Sequence, residues 1–552
     1  MSAARRVVVI GGGVGGLATA ALLARGGALV TLLERHDSVG GRVGTASFDG
    51  FRFDTGPSWY FMPEVIEHTF TLLGARIEDH LDLVPLDPVY RLFPEPDEPG
   101  ARSEPFELSA DPVVNAARFE AREPGAGAAI ARYGARASDA YRVALDHFLY
   151  TTFQRPDRIL TAELVRRGPE LASLLTRTLA QQIETTVHDP VLRQVLGYHA
   201  VFLGSSPYRV PALYSLMSHL DLNEGVRYPR GGMYTLVQAL AELARREGVQ
   251  VRTGADVVGI EVEHASASRR HPRRLGIARG VALADGEVIP ADVVVSNADR
   301  HHTETVLLSD PFADLPGRAW SRRGPGIGAL LVMAGIRGPL PELAHHSLFF
   351  TRDWPANFEA ILGHGRTSLG VDLTVPSPAS LYVSRPSATD PGVAPPGDEA
   401  LFVLVPYPAD PSLGAGVRGR ELVERQADGY LDQIGTWAGI DNLRERVVAR
   451  RVVAPADFAR DLSAWRGTSL GMEHTLAQSA MFRPGVASRR VPNLLHVGGG
   501  TVPGVGLPMV LIGAELVVKR MLGETSARAL PGPLRPGFLA AARRGGVWSD
   551  VT

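Results

Sequence analysis

Residues 7 to 16 read Val-Val-Val-Ile-Gly-Gly-Gly-Val-Gly-Gly, and no other stretch limits the fold so sharply. Four apolar, β-branched residues make a buried strand, and the glycines behind them force a tight turn. Gly11, Gly13 and Gly16 fit the pattern GxGxxG. Each glycine has its own reason: the turn, the close approach of a phosphate, and close helix–strand packing. Leu17 to Ala24 then reads as the start of an alanine- and leucine-rich helix, whose free N–H groups and dipole face negative charge. A second strand, residues 29 to 33, ends at Glu34, 18 residues past Gly16. That is close to the ~20-residue offset at which an acid grips a ribose hydroxyl. Strand, turn, helix, strand and acid in register predict a doubly wound, dinucleotide-binding domain.

The chain has 552 residues, 45% of them hydrophobic, enough for two or three interleaved domains. Its formal charge of −2 and the lack of a long basic run give no footprint for nucleic acid. Cysteine is absent, which removes disulfides, thiolate nucleophiles and cysteine-ligated metals, and no metal site is expected. Lys519 is the only lysine, so the glycine turn lacks the lysine of a phosphate-binding ATPase loop, and Schiff-base chemistry is disfavoured. Residues 7 to 24 are uncharged and follow Arg5-Arg6, but their clustered glycines fit strand–turn–helix better than a membrane span. A cytoplasmic protein is expected, with room for contact to a membrane surface.

Further along, Gly40-Gly41-Arg42 places an arginine behind paired glycines, suited to a pyrophosphate. Helical patterns occupy 139 to 153 and 161 to 187. Strand-like runs at 249 to 263 and before Ala291 re-enter the nucleotide domain. Residues 327 to 405 alternate short apolar runs, the signature of a mixed sheet. The basic stretch 264 to 274 reads as a solvated hairpin tip, with an anionic-lipid contact as the alternative, and 386 to 399 as a mobile loop. Residues 493 to 500 form one more strand, followed by a glycine-rich turn and a helix over 509 to 522, a second helix N-terminus for a cofactor.

Several of these runs are more specific: Phe53-Asp54-Thr55-Gly56-Pro57-Ser58, Tyr228-Pro229-Arg230-Gly231-Gly232, Ser296-Asn297-Ala298-Asp299, Leu343-Ala344-His345-His346, Gln478 to Pro484, and Gly500 to Pro508. With them the chain, over roughly 5 to 522, resembles the bacterial-type phytoene desaturases, a carotenoid branch of the FAD-dependent amine-oxidase-like flavoproteins. The resemblance implies an α/β fold: a Rossmann-like FAD-binding domain, an interleaved mixed-sheet substrate domain and a helical membrane or tunnel region. The expected boundaries are 1–85, 231–300 and 486–523 for the FAD-binding parts, 86–230 for the helical region, 301–485 for the substrate domain, and 524–552 for a weakly ordered tail. The cofactor-binding set expected is Gly11, Gly13, Val14, Gly15, Gly16, Glu34, Arg35, Gly41, Arg42, Pro57, Ser58, Val257, Asn297, Gly499, Gly500, Gly506, Pro508 and Met509, with FAD as the cofactor.

The implied activity is desaturation of phytoene in steps toward lycopene. Alternatives are a later carotenoid enzyme (a 3,4-desaturase, ketolase or isomerase) or an amine oxidase-like flavoenzyme. An apolar tunnel is expected to draw on Phe148, Tyr150, Phe153, Tyr198, Phe202, Tyr214, Leu216 and Met217. Asp146 is the candidate base, since a desolvated carboxylate beside a flavin accepts a proton. His199 and His219 are similar cases, imidazoles near an apolar stripe, and His345 and His346 are expected as tunnel or interface residues. The expected partners are an apolar carotenoid and a membrane surface, with a homo-oligomer left open.

Overall fold

The computed structural model describes residues 5–155, 157, 161–268, 271–362 and 375–550. At its centre is a five-stranded parallel sheet, in the order Leu494–His496, Val293–Ser296, Arg6–Ile10, Leu29–Leu33 and Gln250–Arg252. The first strand is apolar throughout because both of its faces are covered. Val7 and Val9 pack into a core shared with the helices Val14–Arg25, Tyr234–Arg246 and Leu507–Leu522. Val8 and Ile10 face the other way, onto the antiparallel sheet of Val257–His264, Gly276–Leu283 and Val288–Pro290. The basic stretch joins the first two of those strands as a hairpin tip, with Arg269 and Arg270 outside the described residues.

A second, seven-stranded sheet runs Val447–Val453, Gly328–Ile336, Glu399–Tyr407, Leu381–Ser384, His346–Phe350, Tyr90–Pro94 and Phe106–Leu108. Its pairs are antiparallel except for the parallel pair of His346–Phe350 with Tyr90–Pro94. The last two strands correct the expectation that 86–230 is a helical region. Tyr90, Leu92, Phe106 and Leu108 are buried by period-2 alternation, and the segment helps build the sheet before it turns helical. The helical pattern at 161–187 is three short helices, Ala162–Arg166, Gly168–Thr176 and Leu179–Glu184. Residues 386 to 399, read as a mobile loop, are pinned instead: Pro386, Asp390 and Val393 are buried, and Asp390 accepts from the Gly231 and Gly392 amides.

The tail also departs from expectation. Arginine, glycine, alanine and proline suggested weak order after 523, yet Leu530, Leu534, Leu539 and Val547 are buried in the same core as the first strand. Leu539 is held where a Cβ on Gly26 would come within 2.6 Å of it, so the bare end of the first helix makes its socket. Lys519, fully buried, donates from Nζ to the carbonyls of Tyr150 (2.7 Å), Ser526 (2.9 Å) and Arg528 (2.6 Å). Three donors on one ammonium thus tie the terminal helix, the tail and the end of the 126–149 helical run together.

Candidate active site

A cavity of about 580 Å³ runs from the glycine turn to the face of the seven-stranded sheet. At one end two helix N-termini open into it. The helix Val14–Arg25 starts at Gly13 and the helix Leu507–Leu522 at Gly506, and neither has a side-chain cap, so their first N–H groups are free for an anion. The steric reason for glycine is visible at each turn position. A Cβ on Gly16 would lie 2.1 Å from the Gly11 carbonyl oxygen, and one on Gly13 or Gly15 would lie 2.8 or 2.9 Å from the Asn297 amide. Asn297 Nδ2 donates to that Gly11 carbonyl at 3.3 Å, so this side chain braces the turn as well as lining the cavity.

Glu34 is buried, its Oε2 accepting from the Gly12 N–H at 2.8 Å and its Oε1 from His36 N–H at 3.0 Å. The carboxylate is thereby aimed before any ribose arrives. Arg42 donates from Nε to the Ser469 carbonyl (2.8 Å), with Asp299 4.0 Å away. Arg35 is anchored to the carbonyls of Arg460 and Asp461 and to Ser463 Oγ. Val14, Gly41, Pro57, Ser58, Val257, Gly499, Gly500, Gly506, Pro508 and Met509 line the same cavity, as do Gly11, Gly13, Gly15, Glu34, Arg35 and Arg42. Gly16 sits just behind the lining, where it packs the turn.

The other end of the cavity is apolar. Trp59, Phe61, Tyr198, Phe202, Tyr214, Leu216, Met217, Phe350 and Phe358 line it, whereas Phe148, Tyr150 and Phe153 of the expected tunnel set lie elsewhere. Asp146 does not reach it either. The helical run around it turns Tyr141, Ala144 and Leu149 to the cavity and leaves Asp146 exposed on the opposite face. Exposed and outside the lining, Asp146 is not placed to meet a substrate carbon, which removes the reason for choosing it.

Ser58 and Tyr382 line this apolar arm, with His346 behind them, and the three come from distant stretches of the chain. Ser58 Oγ and Tyr382 OH are 2.6 Å apart, and Tyr382 OH is 2.7 Å from His346 Nδ1. The His346 ring stacks on Trp59 with 4.5 Å between centroids and 8° between planes. Burial holds His346 well below the usual imidazole range and pushes the Tyr382 phenol upward, so imidazole and phenol both stand neutral. His345 is pushed down to about 3 and bonds Thr389 Oγ1 at 2.7 Å. His199 is buried against Asp221 (3.1 Å), and His219 bonds Ser138 (2.9 Å) and Glu224 (3.1 Å). Sequence reasoning missed a further residue, His474. Its Nδ1 donates to the Leu203 carbonyl at 3.0 Å, and its ring fills the space a Cβ on Gly504 would need, beside the second glycine turn.

Uncapped helix ends, a cradle that side chains would fill and a pre-aimed acid suit a dinucleotide such as FAD, and together they define a flavin-dependent oxidoreductase. Comparison with known proteins narrows this. Residues 14–522 match the family described as flavin containing amine oxidoreductase, and the chain belongs to the carotenoid desaturase branch of that family, with FAD as its cofactor. It is 36% identical to the carotenoid 3,4-desaturase of Haloarcula japonica over 519 residues, covering 94% of this chain and 98% of the relative. It is 35% identical to the zeta-carotene-forming phytoene desaturase of Myxococcus xanthus over 545 residues, 98% of each chain. Among solved structures, putrescine oxidase bound to putrescine shares the fold at a TM-score of 0.57, with 15% identity and 98% of each chain covered.

Proposed function

We propose that the chain desaturates phytoene in successive steps toward lycopene, with the cofactor-binding residues placed above holding FAD. The observation that carries this reading is the character of the cavity's far arm. Among the described residues at 57 to 62, 141 to 149, 198 to 220 and 348 to 406, no carboxylate, guanidinium or ammonium lines it. A polyene has no polar handle and is recognised by apolar burial, at roughly 25 cal/mol per Å². An amine substrate would leave its charge unmatched there, and the single lysine, Lys519, lies outside the cavity.

Bound FAD supplies the hydride acceptor. The chain's share is to hold the polyene in the aromatic arm, exclude water and move a proton. Ser58 Oγ takes the proton from carbon as it passes its own to Tyr382, and Tyr382 passes one to His346 Nδ1. Loss of a proton from a cationic polyene is favourable enough for a neutral imidazole to serve. Replacing Tyr382 by Phe breaks this chain without changing the arm's shape. Turnover of Tyr382→Phe is expected to fall about a hundredfold at unchanged FAD content, while Asp146→Asn stays within about twofold of the parent. Flavin reduction followed by stopped-flow absorbance on both variants checks this, and equal rates would remove the relay.

Among the described residues no helix is long and apolar enough to cross a membrane. A bilayer-dissolved substrate asks for peripheral contact, and exposed Val165, Leu175 and Tyr208 between 150 and 225 supply apolar surface for it. The deciding assay incubates the FAD-loaded protein with liposomes holding 15-cis-phytoene and separates the extracted pigments by chromatography. Conjugated products appearing in steps support the proposal. Unchanged phytoene alongside 3,4-desaturation of lycopene would move the enzyme to the later step, which the Haloarcula japonica relative favours.

A further inference from the structure

A second cavity, about 420 Å³, lies where the hairpin tip at 271–273, residues 152–154, the segment 481–492 and the end of the terminal helix meet. Four guanidinium groups line it, those of Arg273, Arg483, Arg489 and Arg520, together with His271, and among the described residues no carboxylate does. Two of the four are buried in an unusual way. Arg483 is 3% exposed and spends its Nη atoms on the carbonyls of Gln478, Met472 and Gly499, leaving Nε buried without a partner. Arg520 likewise has a buried, unpartnered Nε. Burial pushes both down to about 10, a sign that their charge is held at a cost. Two carboxylates stand outside the lining: Asp550, 3.6 Å from His271 Nε2 and close enough to favour the charged form of Arg520, and Asp314, which accepts from the Arg489 main-chain N–H at 2.9 Å.

Like charges gathered round one pocket, with Arg483 buried, Arg520 half-buried and Arg273 and Arg489 exposed, favour an anion that completes them. The planar fork of arginine matches phosphate oxygens, two at a time. The remaining wall mixes Thr152, Gln154 and Ser488 with apolar Phe153, Val486 and Val502; Met481, which also lines it, and its neighbour Phe482 stand 57% and 58% exposed. A free phosphate uses the cations and ignores those apolar groups. A phosphate carrying acyl chains uses both.

We propose that this cavity binds the phosphate of an anionic phospholipid, with Met481 and Phe482 entering the acyl region beside it. The site docks the protein on a negatively charged membrane face, and it is separate from the cavity that takes flavin and substrate. The basic hairpin tip is then a membrane contact, through Arg273, rather than a solvated turn.

The test is flotation of the FAD-loaded protein with phosphatidylcholine vesicles, with and without phosphatidylglycerol, read for the parent, for Arg273→Glu/Arg489→Glu, and for Arg418→Glu/Arg425→Glu. The last pair changes net charge equally on the exposed face of another helix, and both pairs alter exposed side chains. Binding of the parent to the anionic vesicles is expected to exceed that of Arg273→Glu/Arg489→Glu by tenfold or more at low salt, with the control pair near the parent. Equal binding by all three, or an equal loss in both pairs, overturns the site. A parallel melting series with inorganic phosphate separates the ligand's source. Stabilisation of the parent alone by phosphate, with no dependence on phosphatidylglycerol, overturns the lipid and leaves a free-phosphate pocket. Bound FAD, read by absorbance, confirms that each variant is folded, so failure of the desaturase reading leaves this result untouched.

Discussion

Gly16→Ala is expected to yield a protein that no longer holds its flavin. The added methyl would stand 2.1 Å from the Gly11 carbonyl oxygen, which is backbone and cannot swing aside. Gly11 itself sits at φ +95°, so the turn has no slack to absorb the push. The turn must open, taking the free N–H groups at the helix start with it. Overpacking of this kind costs about 1–3 kcal/mol, and here the loss falls on cofactor geometry, for a ten- to hundredfold weaker hold on FAD. Absorbance near 450 nm per mole of purified protein measures it. Gly429→Ala is the control, since a Cβ there meets nothing within 4 Å and the residue lies in a helix. A yellow Gly16→Ala protein with normal flavin content would mean that the turn does not carry the pyrophosphate.

The second large effect is expected far from that turn. Lys519→Met keeps the aliphatic stem but leaves the carbonyls of Tyr150, Ser526 and Arg528 without their donor. Each unsatisfied buried acceptor costs roughly 1–3 kcal/mol. Burial pushes the ammonium down to about 8, so removing the charge returns part of that cost. A net loss of about 3 kcal/mol is expected, read as a lower urea midpoint for unfolding. Release of the tail should precede global unfolding in limited proteolysis, with cuts after residue 523. A midpoint within error of the parent would show that water replaces the lysine without penalty. Arginine cannot substitute, because its planar fork cannot meet three carbonyls gathered round one point.

How much of this could be read from the sequence depended on whether a residue's job is local. The glycines at 11, 13 and 16, Glu34 and the second turn at 498–506 work through neighbours a few residues away or through a fixed spacing, so their pattern is legible. Asp146 failed because helical spacing says which residues share a face, but not which face meets the cavity. Ser58, Tyr382 and His346 meet across 324 and 36 residues of sequence, and nothing near any of them announces the others. The strands Tyr90–Pro94 and Phe106–Leu108 were overlooked because their sheet partner, His346–Phe350, lies far down the chain. The tail's composition resembles disorder, and only the socket at Gly26 and the grip of Lys519 give its few leucines something to pack against.

The central sheet has a consequence for biosynthesis. Its first strand, Arg6–Ile10, pairs with residues 29–33 and 293–296, and the outer strand beyond it comes from 494–496. A ribosome delivers the first glycine turn long before the second one, at the N-terminus of the helix Leu507–Leu522. Until residues 257–296 are made the first strand has one face and one edge bare, the kind of delayed non-local pairing that exposes apolar edges. The full cradle needs both turns, so it cannot close around a dinucleotide before residues 498–506 have been made.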